Sequence, residues 1–536
     1  MSEPQRADVA ILGGGLAGLT LALQLRRRFP DLAVVVLERS RHPVPEAKHK
    51  VGESSVEIAA HYFDSVLGLG PHLAERQLKK FGFRFFFSEG RRDIDSVLEL
   101  GASSYLSTPS YQIDRGIFEN FLGARARECG IEFVEGITVR GVDLADGERP
   151  HTVRCEQGGV PLEVTARWVA DASGRAGILK RQLGLAAEND HDVNSAWFRV
   201  ASRIDVNDWS SDRAWLGRCT PPDRWLSTNH LVGEGYWVWL IPLASGSHSV
   251  GIVADGRIHP WQRINTFSRA LEWLREFQPR LAEEVESKRE LLQDFVFLKH
   301  FSYGCRKVFS GARWAMTGEA GVFLDPFYSP GSDFIAIANT YITELVALDR
   351  AGGPVSSYAR IYEQFFMSFY DSTMSLYRNQ YKLFGDPEVL PVKVIWDYTY
   401  YWGVLCQLFF QGRLTDLTML SRLRDELNGS KDLNYAMQDF LRAWSGRSGR
   451  RNAAVLLDQA RIGWFAELNR GLRDPLDDDG FKARIRATTL QLRQLAREIV
   501  TMATTEHPDL DAGPVLALLG DAPDVPGPGM LFGAAA

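Results

Sequence analysis

DVAILGGGLAGLTLALQLRRRFPDLAVVVLER, residues 8–39, is the stretch on which the fold turns. Its first apolar run, Val9-Ala10-Ile11-Leu12, has the length of a buried strand, and from Leu19 to Phe29 apolar residues recur at helical spacing. Between them Gly13-Gly14-Gly15-Leu16-Ala17-Gly18 spells GxGxxG, and a second apolar run, Val34-Val35-Val36-Leu37, ends at Glu38. A lone GxGxxG is a weak signal. Set between a strand and a helix, with an acidic residue twenty positions beyond Gly18, it marks a dinucleotide-binding βαβ unit. Gly13 permits the tight turn, Gly15 lets the backbone approach a pyrophosphate, and Gly18 lets helix and strand pack closely. The pyrophosphate rests on the helix N-terminus, where open N–H groups and the dipole favour an anion. Glu38 then accepts hydrogen bonds from the adenosine ribose.

The rest of the chain is compatible with such a unit inside a larger globular protein. Its 536 residues are enough for several domains, and 45% hydrophobic and 24% charged side chains exclude a disordered chain. With 61 Lys and Arg against 67 Asp and Glu the net charge is −6, so the basic excess that nucleic acid requires is missing. The five cysteines (Cys129, Cys155, Cys219, Cys305, Cys406) are far apart, which predicts neither disulfides nor zinc and a reducing, cytoplasmic setting. The eleven histidines are scattered without metal-ligand spacing, so no metal site is expected. No signal peptide and no membrane-spanning run is read from the sequence.

Three further stretches choose among dinucleotides. Tyr111-Gln112-Ile113-Asp114-Arg115 places an arginine at the start of a helical segment, and Trp168-Val169-Ala170-Asp171-Ala172-Ser173-Gly174-Arg175 is a strand running into a turn of small residues. There Arg115 and Asp171 can meet the phosphates and ribose of a cofactor. Trp314 to Gly321 is another strand and glycine turn, carrying Gly318 and Glu319, followed by Asp325-Pro326-Phe327-Tyr328-Ser329-Pro330-Gly331. In this order the set resembles the flavin monooxygenase-like FAD fold, and no second GxGxxG unit for a nicotinamide cofactor is present.

Leu231 to Leu243 contains Trp237-Val238-Trp239-Leu240-Ile241-Pro242. This WxWxIP segment, with GxGxxG and the Asp-Pro-x-x-Ser-x-Gly loop, resembles the flavin-dependent halogenases over residues 8–345. The resemblance implies an enzyme that takes FADH2 from a separate flavin reductase, with O2 and chloride or bromide, and makes hypohalous acid. That acid passes to a substrate-side lysine, which holds it as a haloamine or by a hydrogen bond. Trp237, Trp239, Ile241 and Pro242 would wall the flavin from the substrate. Lys79-Lys80-Phe81-Gly82-Phe83-Arg84-Phe85 resembles the family's lysine motif and puts the match on Lys80. An amine pointing into the apolar run 80–87 would be desolvated and nucleophilic; read without the family, the pair is a solvated basic cap at a strand edge. Gly52-Glu53-Ser54-Ser55 resembles a flavin-responsive loop, with Ser54 against the cofactor and free to cap the following helix. Gly318, Glu319 and Asp325 are flavin contacts by the same resemblance, Glu319 replacing the usual aspartate.

The halide loop departs from the family. Ser329, Gly331 and Ser332 can offer N–H groups to a halide, but Pro330 has none to give. Tyr328 stands where tryptophan halogenases carry a glutamate that assists proton removal, which disfavours free tryptophan and fits phenol, pyrrole or carrier-tethered substrates in secondary metabolism, including antibiotic biosynthesis. Pro330 keeps a second expectation open, a halogenase-like FAD monooxygenase or dehydrogenase that hydroxylates or desaturates instead.

The expected architecture is therefore α/β: an FAD-binding core over 1–345 with interrupted nucleotide-binding segments and a substrate-covering β-sheet (about 76–110 and 190–300), a helical C-terminal domain over 346–520, and a flexible tail over 521–536. In residues 361–410, 15 of 50 side chains are aromatic, against 11% in the whole chain, so this region is a packed helical core or an aromatic substrate lining. Arg447, Arg450 and Arg451 form a basic cluster that could meet an acyl or peptidyl carrier protein, although such a run is usually a solvated helix end.

Overall fold

The structure is a computed structural model and describes residues 5–46 and 52–520. The tail expected over 521–536 lies outside the described residues, as does Lys48-His49-Lys50 before Gly52. Two compact units are each assembled from three separate pieces of chain: Met1–Gln77, Ile113–Asp190 and Phe301–Tyr370 in the first, Leu78–Gln112, His191–His300 and Asp371–Ala536 in the second.

The first unit is built on β1 (Gln5–Leu12), α1 (Leu16–Arg28) and β2 (Val34–Glu38). β1 pairs in parallel with β2 on one side and with Val160–Asp171 on the other, and Glu132–Glu135 and Trp314–Met316 extend the parallel sheet. Val9 to Leu12 and Val34 to Leu37 are buried throughout, as strands covered on both faces must be. α1 closes on Arg26, Arg27 and Arg28, cations placed where the helix dipole is negative. The long helix Gly331–Arg350 lies against α1.

The second unit has an eight-stranded sheet in the order Leu292–Leu298, Val193–Val200, His248–Asp255, Tyr236–Pro242, Thr228–Gly233, Phe83–Phe86, Glu99–Gly101, Leu456–Asp458. Period two divides its residues between two faces. On one, Phe198, Val238, Leu240, Val250 and Ile252 share a core with Trp273, Leu274, Leu281 and Val285 of the helices Phe267–Phe277 and Pro279–Ser287. The other carries Phe83, Phe85, His230, Trp237 and Trp239 and receives Tyr381 and Tyr398 from the C-terminal helices. Those helices group with this sheet, and one of their connections, Leu456–Asp458, supplies its edge strand beside Glu99–Gly101. No helix among the described residues is long and apolar enough to cross a membrane.

Candidate functional site

In the first unit the glycine turn is tight for reasons that can be measured. Gly13 has φ +113, and a Cβ there would fall 2.5 Å from the Ala172 carbonyl oxygen. One at Gly18 would fall 2.0 Å from the Gly13 carbonyl oxygen. Gly15 differs: the space beside it is open, its nearest neighbour being a Glu119 oxygen at 4.0 Å, and as N-cap of α1 it brings no side-chain cap. The first N–H groups of α1 therefore face a gap without a Cβ in it, which fits a dinucleotide pyrophosphate. Glu38 accepts from Gly14 N (2.7 Å) and from Ser40 N (2.6 Å), pinning the turn to β2 and leaving its carboxylate with lone pairs for ribose hydroxyls.

Around this turn the remaining sequence-read residues take different parts. Arg115 begins the helix Arg115–Glu128, pairs with Glu119 at 2.6 Å and crosses so close to Gly52 (φ +89) that a Cβ there would meet its guanidinium at 2.9 Å. Ser54 is buried but does not cap: the next helix starts at Glu57 behind Val56, with no side-chain cap. The Asp171 carboxylate turns onto its own loop, accepting from Ser173 N (3.0 Å) and Leu179 N (2.7 Å). Burial raises its pKa, against those hydrogen bonds and the Lys180 charge. Gly318 (φ +62) passes α1 at Ala17, and Glu319 pairs with Arg175 at 3.0 Å.

The loop before the long helix is equally defined. Buried Asp325 accepts from Phe327 N at 3.0 Å, and Ser329 N donates to the Pro326 carbonyl at 2.9 Å. Ser329 sits at φ +54, a left-handed conformation costly for a non-glycine residue. Tyr328 is half-buried with its ring 4.8 Å from that of Phe327. Pro330 is the N-cap of Gly331–Arg350, so its missing N–H breaks no helical bond. Gly331 and Ser332 open the helix, and Asp333 in the same turn accepts from Ala59 N at 2.9 Å.

Behind these loops lies a knot the sequence did not disclose. Asn339 accepts from Thr317 Oγ1 (2.8 Å) and donates through Nδ2 to Ala17 O (3.2 Å), Thr20 Oγ1 (3.1 Å) and Tyr62 Oη (3.1 Å). It ties α1, the long helix and a π-turn at Tyr62–Val66 into one buried network. Every partner is distant in sequence, so no local pattern announces it.

In the second unit the two adjacent lysines separate. Lys79 is exposed, whereas Lys80 is 4% exposed with Nζ 3.3 Å from the centre of the Phe83 ring. Gly82 (φ +80) makes the turn between Lys80 and Phe83. Phe83 is ringed by Tyr398 of the aromatic-rich segment at 6.0 Å and by His230 at 5.2 Å, the latter not singled out by the sequence. Trp237 and Trp239 lie on one strand face, centroids 5.6 Å apart and both buried, donating to Tyr381 Oη and Ser249 Oγ at 3.1 Å each. Trp239 lies across Gly251 of the neighbouring strand, where a Cβ would come within 2.1 Å of the indole. Ile241 continues the face and Pro242 ends the strand, both buried.

A buried carboxylate, Glu99, bridges Arg84 and Arg224 beneath this sheet. Burial raises its pKa, but the two guanidinium groups outweigh it and hold the carboxyl low. The basic cluster is spent within the unit: Arg447 pairs with Asp509 (2.9 Å), Arg450 with Glu234 (2.7 Å) and Arg451 with Glu388 (2.8 Å). It staples the loop after the helix Arg424–Ser445 and is not an open basic patch. The residues read as FAD and halide contacts all fall in the first unit; Lys80, Trp237, Trp239, Ile241 and Pro242 all fall in the second.

The family model described as FAD binding domain matches residues 6–246. A flavin-dependent halogenase of Dictyostelium discoideum, chlA, is 24% identical over 477 residues, 81% of this chain and 77% of that protein. The 1H-pyrrole-2-carbonyl-[peptidyl-carrier protein] brominase of Pseudoalteromonas luteoviolacea is 26% identical over 62% of this chain and 75% of its own length. Among solved structures, halogenase PltM in complex with phloroglucinol and FAD superposes with TM-score 0.64 at 17% identity, covering 92% of this chain and 96% of that one. The open glycine turn, the strand–glycine segments in their order and these relatives together show an FAD-dependent oxidoreductase similar to the flavin-dependent halogenases.

Proposed function

We propose that this enzyme halogenates an electron-rich aromatic ring, free or held on a carrier protein, in secondary metabolism, drawing FADH2 from a separate flavin reductase. The observation that carries the reading is Lys80, a buried amine seated on the Phe83 ring at 3.3 Å within the aromatic face that also bears Trp237 and Trp239. A carrier-tethered substrate is suggested by the brominase relative's name and a free polyphenol by the ligand of PltM.

Gly13, Gly15, Gly18 and the α1 N-terminus would hold the pyrophosphate, Glu38 the ribose, and Ser54, Arg115, Asp171, Gly318, Glu319 and Asp325 would shape or line the remainder. FAD, bound in reduced form, supplies the electrons with which O2 is activated toward halide. Halide would be held at the start of Gly331–Arg350 by the N–H groups of Gly331 and Ser332 beside Ser329. Lys80 takes the hypohalous acid on the substrate side. An ammonium over a ring face is stabilised by the ring quadrupole, so this seat favours the hydrogen-bond-donating form of Lys80 over haloamine formation. The aromatic face excludes water, which would otherwise consume the oxidant. Tyr328 brings no carboxylate to remove a ring proton, which restricts the reaction to rings activated by their own substituents. Pro330 favours a second reading, hydroxylation or dehydrogenation, because it takes one donor from the halide turn.

The test supplies reduced FAD, O2 and bromide or chloride and traps hypohalous acid with monochlorodimedone. Saturable, halide-dependent trapping is expected. Trapping indifferent to halide, with hydroxylated or desaturated products in its place, overturns halogenation in favour of the second reading.

A further inference from the structure

In the second unit the turn that carries Lys80 is tied to the start of the strand Thr228–Gly233 one peptide at a time. Phe81 N donates to Leu226 O at 3.1 Å, and the Gly82 carbonyl accepts from Thr228 N at 3.1 Å. The peptide between them is held by a side chain: the Ser227 hydroxyl donates to Phe81 O at 3.3 Å. This peptide needs a hold more than its neighbours do. Gly82 sits at φ +80 with open space where a Cβ would lie, and the freedom of glycine lets the Phe81–Gly82 peptide rotate with little steric resistance.

A serine hydroxyl has a single proton and donates in one direction at a time. Arg84 decides that direction. Its Nε donates to Ser227 Oγ at 3.4 Å, and because a guanidinium cannot accept, the Ser227 proton is left for Phe81 O. Arg84 acts on Lys80 only at this remove: Phe83 and Phe85 lie on the face that carries the amine, and period two sends Arg84 to the other. There its NH1 pairs with Glu99, its NH2 donates to Ala102 O at 2.6 Å, and Gly101 makes room, since a Cβ would fall 2.9 Å from NH1. Arg224 holds Glu99 from the far side at 2.8 Å, and its own carbonyl accepts from Ser227 N at 3.0 Å. Arg84, Glu99, Arg224 and Ser227 are all fully buried. Apolar residues of similar volume would stabilise such a junction as well as a buried charge triad does, so what the triad adds is a fixed direction for each hydrogen bond.

Resting on the reading of Lys80 as the residue that takes the oxidant, we propose that Arg84 is a positioning residue for Lys80. Acting through the Ser227 hydroxyl, with Glu99 and Arg224 fixing its fork, it locks the Phe81–Gly82 peptide and so keeps the amine on the Phe83 ring. This clamp governs how much oxidant reaches the substrate and not how much is made.

Nuclear magnetic resonance of the FAD-loaded protein, with carbon-13 at the lysine ε position, reads the seat of Lys80 without halide, reductant or substrate. The Lys80 ε-methylene, assigned by its disappearance in Lys80→Arg, should resonate upfield of the exposed lysines because its ammonium rests on a ring face. Ser227→Ala should lose most of that displacement. So should Arg84→Lys, whose ammonium cannot serve Glu99, Ala102 and Ser227 in the geometry of a guanidinium fork. Ser88→Ala, which removes another buried hydroxyl of the same unit, bonded to Gln278 at 2.7 Å, should lose none. In turnover with reduced FAD, O2 and bromide, with phloroglucinol as acceptor and methionine to consume stray hypobromous acid, Ser227→Ala should yield about tenfold less brominated ring. A Lys80 resonance unmoved in both Ser227→Ala and Arg84→Lys, one moved as far by Ser88→Ala, or a moved resonance with undiminished bromination would each overturn the proposal. Absence of bromination by the unsubstituted enzyme counts against the halogenase reading, and the resonance then decides the clamp by itself.

Discussion

Each unit contains, among the described residues, one turn of π-helix beside buried amides, and the two are finished differently. At Tyr62–Val66 the amide of Asn339 uses both ends, and the Tyr62 hydroxyl is shared with Gln24 at 2.8 Å. At Tyr401–Cys406 the indole of Trp402 and the amide of Gln407 use none. A closed network gives rigidity to a platform whose loops must hold a cofactor in one geometry. An open one costs stability, because each buried polar group left unpaired keeps its desolvation penalty.

Breaking the closed network should have the largest effect. Asn339→Leu takes one shared partner from Thr317, Thr20 and Tyr62 at once and is expected to cost about 4 kcal/mol, read by denaturant unfolding. Gln407→Leu should move stability the opposite way, and a loss in both variants would erase the contrast between the two turns. Next comes Lys80→Ala, expected to lower halogenated product about a hundredfold while leaving hypohalous acid trapping intact. If trapping falls equally, Lys80 acts before the oxidant is made. Pro330→Ala returns one N–H to the N-cap position before Gly331–Arg350, and halide half-saturation should fall about tenfold; no change places the halide elsewhere.

The smallest effect is one of pH and has a reporter in each unit. His72, stacked on Phe121 at 3.9 Å, is held down at about 4 by burial and then by Arg76, and buried His248, whose Nδ1 accepts from Ile204 N, is held at about 3. Both titrate near 6.5 when unfolded, so the unfolded chain binds more protons below that pH, and stability present at pH 7 is lost on acidification toward 4. For His248 the loss at pH 5.5 is about 1 kcal/mol. Melting curves from pH 7 to 4 should flatten in His248→Gln, and less in His72→Gln.

The parts legible in the sequence were those whose chemistry is local. A glycine acts through a missing Cβ, and Gly13, Gly15 and Gly18 announce a turn without any distant partner. The strand period placed Trp237 and Trp239 on one face for the same reason. Asp171 was legible as important but not in its role, because its donors, Ser173 N and Leu179 N, depend on how the loop coils. Ser54 was read as a cap because serine caps helices, yet the helix begins two residues later than that role needs. Glu99 with Arg84 and Arg224, Asn339 with Tyr62, and Trp402 with Phe465 join residues up to 277 positions apart, and only the folded chain brings them together.

Trp239 and Gly251 constrain what this enzyme can become. The indole occupies the volume that any side chain at 251 would claim, so neither position can drift alone: enlarging 251 expels the ring, and shrinking 239 leaves a void. A lineage or a designer seeking a wider passage must substitute both in one step, for example Trp239→Leu with Gly251→Ala, which makes the pair a single heritable character written at two places in the gene.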